Sequence, residues 1–436
     1  METGDSIVEI GATVPTGFEY LIKEECKEKL ENEAQCRRGK VYFPIKFEDL
    51  HKVITLRGVD NVFIVAKEIV KDERLLDEKE AAIKFLVNFT EGFNWLPALN
   101  AWQSFTGTNF DLTLPDPNNS SEQRNLPSFR VTCTRSGQRH KFGSPDGACH
   151  IGGKINDMYH WPVKMKNSDL DIMVDITDDS VIFGIALTRA SLHRRNITHF
   201  GPTTLRPTVA YGMLRLANPK PGEVVCDPMC GGGSVTIEGA CSWASNYFVA
   251  ADINKVGTER AVGNLTDMAA SRKIEQGKGA LMNDVLRWDV CKLPLKTNSV
   301  DVFISDMPFG KRMGSKYRNW QLYEQGLREM ARVCRPTTGR AVLLTQDKKC
   351  MQKTLYQFTT MWRKKTQLFI NMGGMSACVY LLQRCKDKLN HEDSSENTPM
   401  EESGDVADDN MEESGDGADD NMEESGDGAA DDEGFK

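Results

Sequence analysis

The sequence predicts an α/β fold: a doubly wound domain over residues 205–388, preceded by an α+β region and followed by a disordered acidic tail. Three observations predict it. From Leu205 onward, short apolar runs alternate regularly with helix-length amphipathic segments, the pattern of a parallel sheet covered on both faces. A glycine-rich turn, "DPMCGGGS", sits between the first of these runs and the next helix. Before residue 190, strand and helix patterns mix without that regularity.

In chain order, residues 1–84 read as a small ferredoxin-like α+β unit, with strands over 7–13, 39–45 and 61–70 and helical stretches over 18–30 and 47–55. Residues 79–98 read as one helix, and 109–128, rich in Pro, Asn and Ser, as a loop. Residues 85–190 form a second unit, with strands over 129–135, 169–177 and 180–188 and a helix over 148–158. "HRRNITHFGPTT" (193–204) reads as a linker spanning about 191–204. Beyond it, strands are expected at 223–227, 247–252, 301–306 and 340–346, with helices between them and a β-rich pair at the end.

Composition narrows the classes. The chain has 436 residues, 39% of them apolar, and no run long enough to span a bilayer. No basic segment followed by an apolar one opens the chain, so a cytoplasmic protein with some nuclear fraction is expected. The twelve cysteines are scattered without a CxxC pair, which suits reduced thiols and neither disulfides nor a metal site. The net charge of −9 conceals two opposite parts. Residues 391–436 hold 19 acidic residues and one basic one, in an eleven-residue repeat that lacks an apolar seam. The remaining residues carry 53 Lys and Arg against 44 Asp and Glu, which suits a polyanionic partner.

The chemistry concentrates at the ends of the expected strands. In a doubly wound sheet, ligands bind outside the carboxyl ends of the strands. The loop holding Cys230, Gly231 and Gly233 is neither a dinucleotide fingerprint nor a Walker loop. Asp227, Asp252 and Asp289 follow three successive strands. Each alone is equally well a turn cap. Together with the glycine loop they suit a cationic nucleoside, since phosphates would be repelled by them. Asp306 ends a further strand, directly before Met307, Pro308 and Phe309. A carboxylate and the Met307 carbonyl offer acceptors to an exocyclic amine, Pro308 stiffens the turn, and Phe309 offers a face to a flat base. That set positions an amine for methyl transfer and gives its proton an acceptor. Lys311 and Arg312 follow, suited to backbone phosphates or to a solvated loop.

"DPMCGGG" with "DMPFGKR" resembles the Rossmann-fold, S-adenosylmethionine-dependent tRNA guanosine-N2 methyltransferases that carry a THUMP domain. "ALTRASLHRRNITHFGPTTLRPTVAYGMLRLANPKPGEVV" resembles that family's linker, and "IGATVPTGFEYLIKEEC" its N-terminal unit. The likeness spans all but residues 389–436, and the eukaryotic branch is nearest. It implies a THUMP domain over 85–190 that grips the tRNA 3′ end, and methylation of an acceptor-stem guanosine at position 6, with its neighbour as a second target. It implies Asp306, Met307, Pro308 and Phe309 as catalytic, Asp227, Cys230, Gly231, Gly233, Asp252 and Asp289 as cofactor-binding, and Arg194, Arg195, Lys311 and Arg312 as RNA-binding. It also implies a small zinc-binding activator subunit as partner.

Two departures stand out. Met307 replaces the first proline of the usual D/N-P-P-F/Y motif, from which a looser turn is expected. Gly233 replaces a frequent Thr or Ser, with Ser234 as its compensation. Adenine-N6 and glutamine-amide methyltransferases share the acceptor motif, though they favour Asn first. An RNA-binding scaffold with a non-catalytic domain is the reading from a different class. A cytosine-C5 enzyme would need a cysteine where Met307 stands.

Overall fold

The computed structural model describes residues 7–70, 72–76, 78–115, 124–137, 139–276, 281–309 and 316–386; side chains of 194, 274–276 and 316–318 are outside that description. The acidic repeat, Lys311 and Arg312 therefore lie outside the described residues.

The first half of the chain builds one seven-stranded sheet. Its strands are β1 (Ile7–Thr13), β2 (Gln35–Arg37), β3 (Lys40–Lys46), β4 (Asn61–Val70), β5 (Phe129–Arg135), β6 (Leu170–Ile176) and β7 (Ser180–Ala186), in the order β2-β3-β1-β4-β7-β6-β5. Helices α1 (Glu19–Leu30), α2 (Lys79–Gly92), α3 (Leu96–Thr106) and α4 (Ser144–Tyr159) accompany it. The two units read from the sequence thus share a sheet, because β4 of the first pairs antiparallel with β7 of the second. The single helix expected over 79–98 is two helices. Trp95 is buried between them, and α3 restarts with Pro97 in its first turn, where a missing N–H costs nothing.

The second half follows the alternation read from the sequence. It comprises α5 (Pro207–Ala217), β8 (Val224–Asp227), α6 (Ser234–Ser242), β9 (Tyr247–Asp252), α7 (Lys255–Gln276), β10 (Asn283–Arg287), β11 (Val302–Asp306), α8 (Lys316–Val333), β12 (Arg340–Thr345), α9 (Lys348–Gln357), β13 (Trp362–Met372) and β14 (Met375–Arg384). The sheet order is β10-β9-β8-β11-β12-β14-β13. The first five strands in that order are parallel, and the last two join antiparallel. The central strands β8 and β11 are nearly all buried, as two covered faces require. α5 and α6 cover one face, with Val225, Ile304 and Leu344 beneath them; α8 and α9 cover the other, over Cys226, Phe303 and Leu343. The edge strand β10, expected before Asp289 but without bounds, could not be delimited in the sequence, because "NDVLR" is mostly polar and only partly buried.

The halves are joined by a continuous core in which Phe18, Met213 and Val225 take part. Buried Glu238 on α6 reinforces the joint. It accepts from Arg57 Nε (3.0 Å) and Nη2 (2.7 Å), Arg195 Nε (3.2 Å) and Asn196 Nδ2 (2.8 Å). Among the described residues, no helix is long and apolar enough to cross a membrane.

Candidate active site

The carboxyl ends of β8, β9, β10 and β11 lie side by side, and the sequence put an aspartate at or just after each. Asp227 ends β8. It is 4% exposed, and its Oδ1 accepts from Ser305 Oγ (2.9 Å) and the Met229 N–H (3.3 Å). Burial pushes its carboxyl up to about 7 against those two hydrogen bonds, and nearby Asp252 adds to the rise.

Asp252 ends β9 and shapes the glycine loop. Its Oδ2 accepts from the Gly231 N–H (2.9 Å) and its Oδ1 from the Asn254 N–H (2.8 Å). Each oxygen keeps a lone pair for a ligand hydroxyl. The Cys230 N–H donates to Ala251 O (2.8 Å), and burial drives the Cys230 thiol well above its ordinary value, so it is no thiolate at neutral pH. Gly231 (φ 51°) and Gly233 (φ 81°) both hold left-handed backbone, and a Cβ on Gly231 would meet open space. The loop therefore presents bare backbone. Gly233 is set by conformation, as the residue that starts α6, and Ser234 beside it is buried in the helix's first turn. Asp289 stands two residues beyond the end of β10, and its Oδ1 accepts from the Cys291 N–H (2.9 Å).

Asp306 ends β11. Its Oδ1 is shut off from solvent and has no hydrogen-bond partner among the described residues. Burial, then the charge of Asp227, pushes its carboxyl up to about 8. The turn that follows is not loose. The Met307 N–H donates to Leu344 O (2.8 Å) and its side chain, 1% exposed, fills the core. The Pro308 carbonyl accepts from Asn319 Nδ2 (3.1 Å) and Tyr323 Oη (2.8 Å), both on α8. The methionine anchors the turn where a proline could not donate. Phe309 is partly exposed beside it.

Four acids with no ion-pair partner among the described residues, beside a bare-backbone loop, fit a cationic nucleoside such as S-adenosylmethionine. Asp227, Asp252, Asp289 and the loop from Cys230 to Gly233 would hold it, and bound there it supplies an electrophilic methyl on a cationic sulfur.

The RNA residues divide differently. Arg194 closes a short 3-10 turn, Leu192–Arg194, and its side chain lies outside the described part. Arg195 belongs to the Glu238 cluster and also donates to Arg57 O. Its guanidinium is engaged in joining the halves.

Sequence reasoning missed Asn264, buried on α7. Its Oδ1 accepts from the N–H groups of Thr198 (2.9 Å) and His199 (2.7 Å), and its Nδ2 donates to Gly232 O (2.9 Å). One amide fastens the linker to the cofactor loop. Glu238, Ser305, Asn319 and Tyr323 were missed in the same way. The partners of all of these are distant in sequence, except that Asn319 and Tyr323 follow the turn by one helix.

Comparison with known proteins decides the family. The profile of the RMKL-like methyltransferase domain matches residues 194–377, and that of the THUMP domain residues 112–186. The tRNA (guanine(6)-N(2))-methyltransferase THUMP3 of Bos taurus is 40% identical, over 91% of this chain and 91% of its own. The chain belongs to the THUMP-domain tRNA (guanine-N2)-methyltransferases. The human THUMP3 enzyme is 39% identical over 92% of this chain and 91% of its own. The fold is shared with the crystal structure of TrmN from Thermus thermophilus, which is 22% identical and covers 86% of this chain and 99% of that one, with a TM-score of 0.65. As a member of this family, the methyltransferase uses S-adenosylmethionine, and its four strand-end acids line the carboxyl edge of the catalytic sheet.

Proposed function

We propose that this chain methylates N2 of a guanosine in the tRNA acceptor stem, at position 6 and in some tRNAs its neighbour. The observation that carries this reading is the unpartnered Oδ1 of Asp306 on a turn fixed from both sides. A buried acceptor without a donor is costly unless a ligand supplies one. An exocyclic amine does so, and Phe309 gives its ring a face. Asp306 holds one amine hydrogen as the nitrogen attacks and takes the proton released afterwards. A carboxyl raised towards neutrality is a better proton acceptor than an ordinary aspartate, and a neighbouring cation favours its ionised form.

Transfer RNA is supported as the substrate by the THUMP match and by the positive balance of the chain outside its tail. Lys311 and Arg312, just past the acceptor turn, are proposed to hold its phosphates, with Arg194 on the linker. The zinc-binding activator subunit is proposed on the open edge of β10, where Met282, Leu286 and Ile253 expose apolar surface. The test is methylation of tRNA transcripts with guanosine or adenosine at position 6, mapped by nuclease digestion and mass spectrometry, with and without the partner. Methyl on N2 of residue 6, lost in the adenosine transcript, is expected; methyl on neither residue 6 nor its neighbour would contradict the position.

A further inference from the structure

The acceptor crevice contains a second unsatisfied group that the proposed chemistry does not use. Gln346 is the first residue past β12, the strand that pairs in parallel with β11, with Asp306 opposite Leu344. Its Nε2 is sealed from solvent and, like Asp306 Oδ1, has no hydrogen-bond partner among the described residues. The two groups share a face. Ile304 and Leu344 enter the same core cluster, and Asp306 and Gln346 are each the next residue in that alternation. The loops that carry them are tied together. Tyr323 Oη donates to Pro308 O (2.8 Å) and shares a hydrogen bond with Thr345 Oγ1 (2.6 Å), the residue before Gln346. The Gln346 backbone carbonyl is fixed in turn by the Lys348 N–H (2.9 Å).

A lone buried donor and a lone buried acceptor at the carboxyl ends of adjacent strands, offset by two residues along the sheet, are each costly when empty. One ligand edge satisfies both. Guanine's Watson–Crick edge carries its 2-amino donor and its O6 acceptor at opposite ends, with N1–H between them. Resting on the guanosine reading above, we infer that Gln346 reads the target base: its amide donates to guanine O6 while Asp306 accepts from the 2-amino group. Gln346 is a specificity-determining residue that contacts the substrate. It takes no proton and makes no covalent bond. It rejects bases that carry an amine at position 6, because two donors would then face each other.

The test compares two acceptor RNAs that both keep the 2-amino group. One tRNA transcript carries guanosine at the methylated position and the other carries 2,6-diaminopurine, whose 6-amino group replaces O6. The kcat/KM of each is measured with the full-length protein, alone and with the proposed activator subunit, as wild type, Gln346→Leu and Gln346→Glu. Thermal unfolding and S-adenosylmethionine affinity are followed alongside. The wild type is expected to favour guanosine by at least tenfold. In Gln346→Leu the guanosine rate falls about tenfold or more, as for a lost hydrogen bond inside a dry site, and the preference collapses. In Gln346→Glu the preference shifts towards diaminopurine, whose amine the carboxylate accepts. A merely structural role would lower both substrates equally and leave their ratio unchanged. An unchanged ratio in both variants, with guanosine still methylated by the wild type, overturns the role of Gln346 alone. A wild type that methylates no guanosine overturns it together with the guanosine reading.

Discussion

Asn264 Nδ2 donates to the carbonyl of Gly232 at 2.9 Å, and through this bond the linker and the cofactor loop move as one piece. The same side chain takes the N–H groups of Thr198 and His199. Asn264→Leu removes these bonds, together with those to Thr198 Oγ1 and His199 O, and leaves partly buried backbone groups without them. We expect a lower unfolding temperature and S-adenosylmethionine affinity reduced about tenfold. Wild-type values for both, by calorimetry, would show that Asn264 does not organise the loop.

Asp252→Ala should weaken S-adenosylmethionine binding by ~1–3 kcal/mol. The carboxylate both shapes the loop at Gly231 and keeps free lone pairs for ribose hydroxyls. Titration calorimetry of wild type and mutant measures it. Equal affinities would refute the assignment.

The buried acids predict a pH dependence. Asp227 and Asp306 bind protons more tightly in the folded chain, with values raised from 3.8 to about 7 and about 8. Between those limits the folded state holds more protons than the unfolded one, so stability falls as pH rises from about 4 to about 8. Asp306→Asn, which cannot ionise, should lose less stability over that window, and the unfolding midpoint measured at each pH reads the difference. S-adenosylmethionine, being cationic, should stabilise the wild type more at the upper end. Parallel pH profiles for wild type and mutant would count against an Asp306 Oδ1 sealed from solvent and unpartnered among the described residues.

Glu238 neutralises Arg57 and Arg195 where the two halves meet. Glu238→Leu leaves two largely buried guanidinium groups without their anion and should cost about 3–5 kcal/mol. Chemical denaturation should show that loss. A midpoint within experimental scatter of wild type would mean that solvent already screens the cluster.

The site was legible wherever a residue's role follows from its place on a strand. Asp227, Asp252 and Asp306 could be read because an apolar run that ends in a carboxylate next to a turn or a glycine loop marks the ligand edge of a parallel sheet. Strands β8, β9 and β11 could be read for the same reason. The bounds of strand β10 and the helix α9 could not, since "NDVLR" and "KKCMQKTLYQ" carry few apolar residues. The break between α2 and α3 depends on the burial of Trp95, a tertiary choice that local periodicity does not contain. The part Arg195 plays in joining the halves was silent because its partner Glu238 lies 43 residues away. Asn264 was silent for the same reason, and Gln346 because its meaning comes from the strand beside it.

The most direct measurement is nucleoside mass spectrometry of tRNA incubated with S-adenosylmethionine and either wild type or Asp306→Ala, each alone and with the proposed activator subunit, alongside calorimetry of cofactor binding. The account predicts N2-methylguanosine with the wild type, none with the mutant, and cofactor affinities within a few-fold of each other. Near-normal N2-methylguanosine from Asp306→Ala, or a methyl group found on another base, would contradict it.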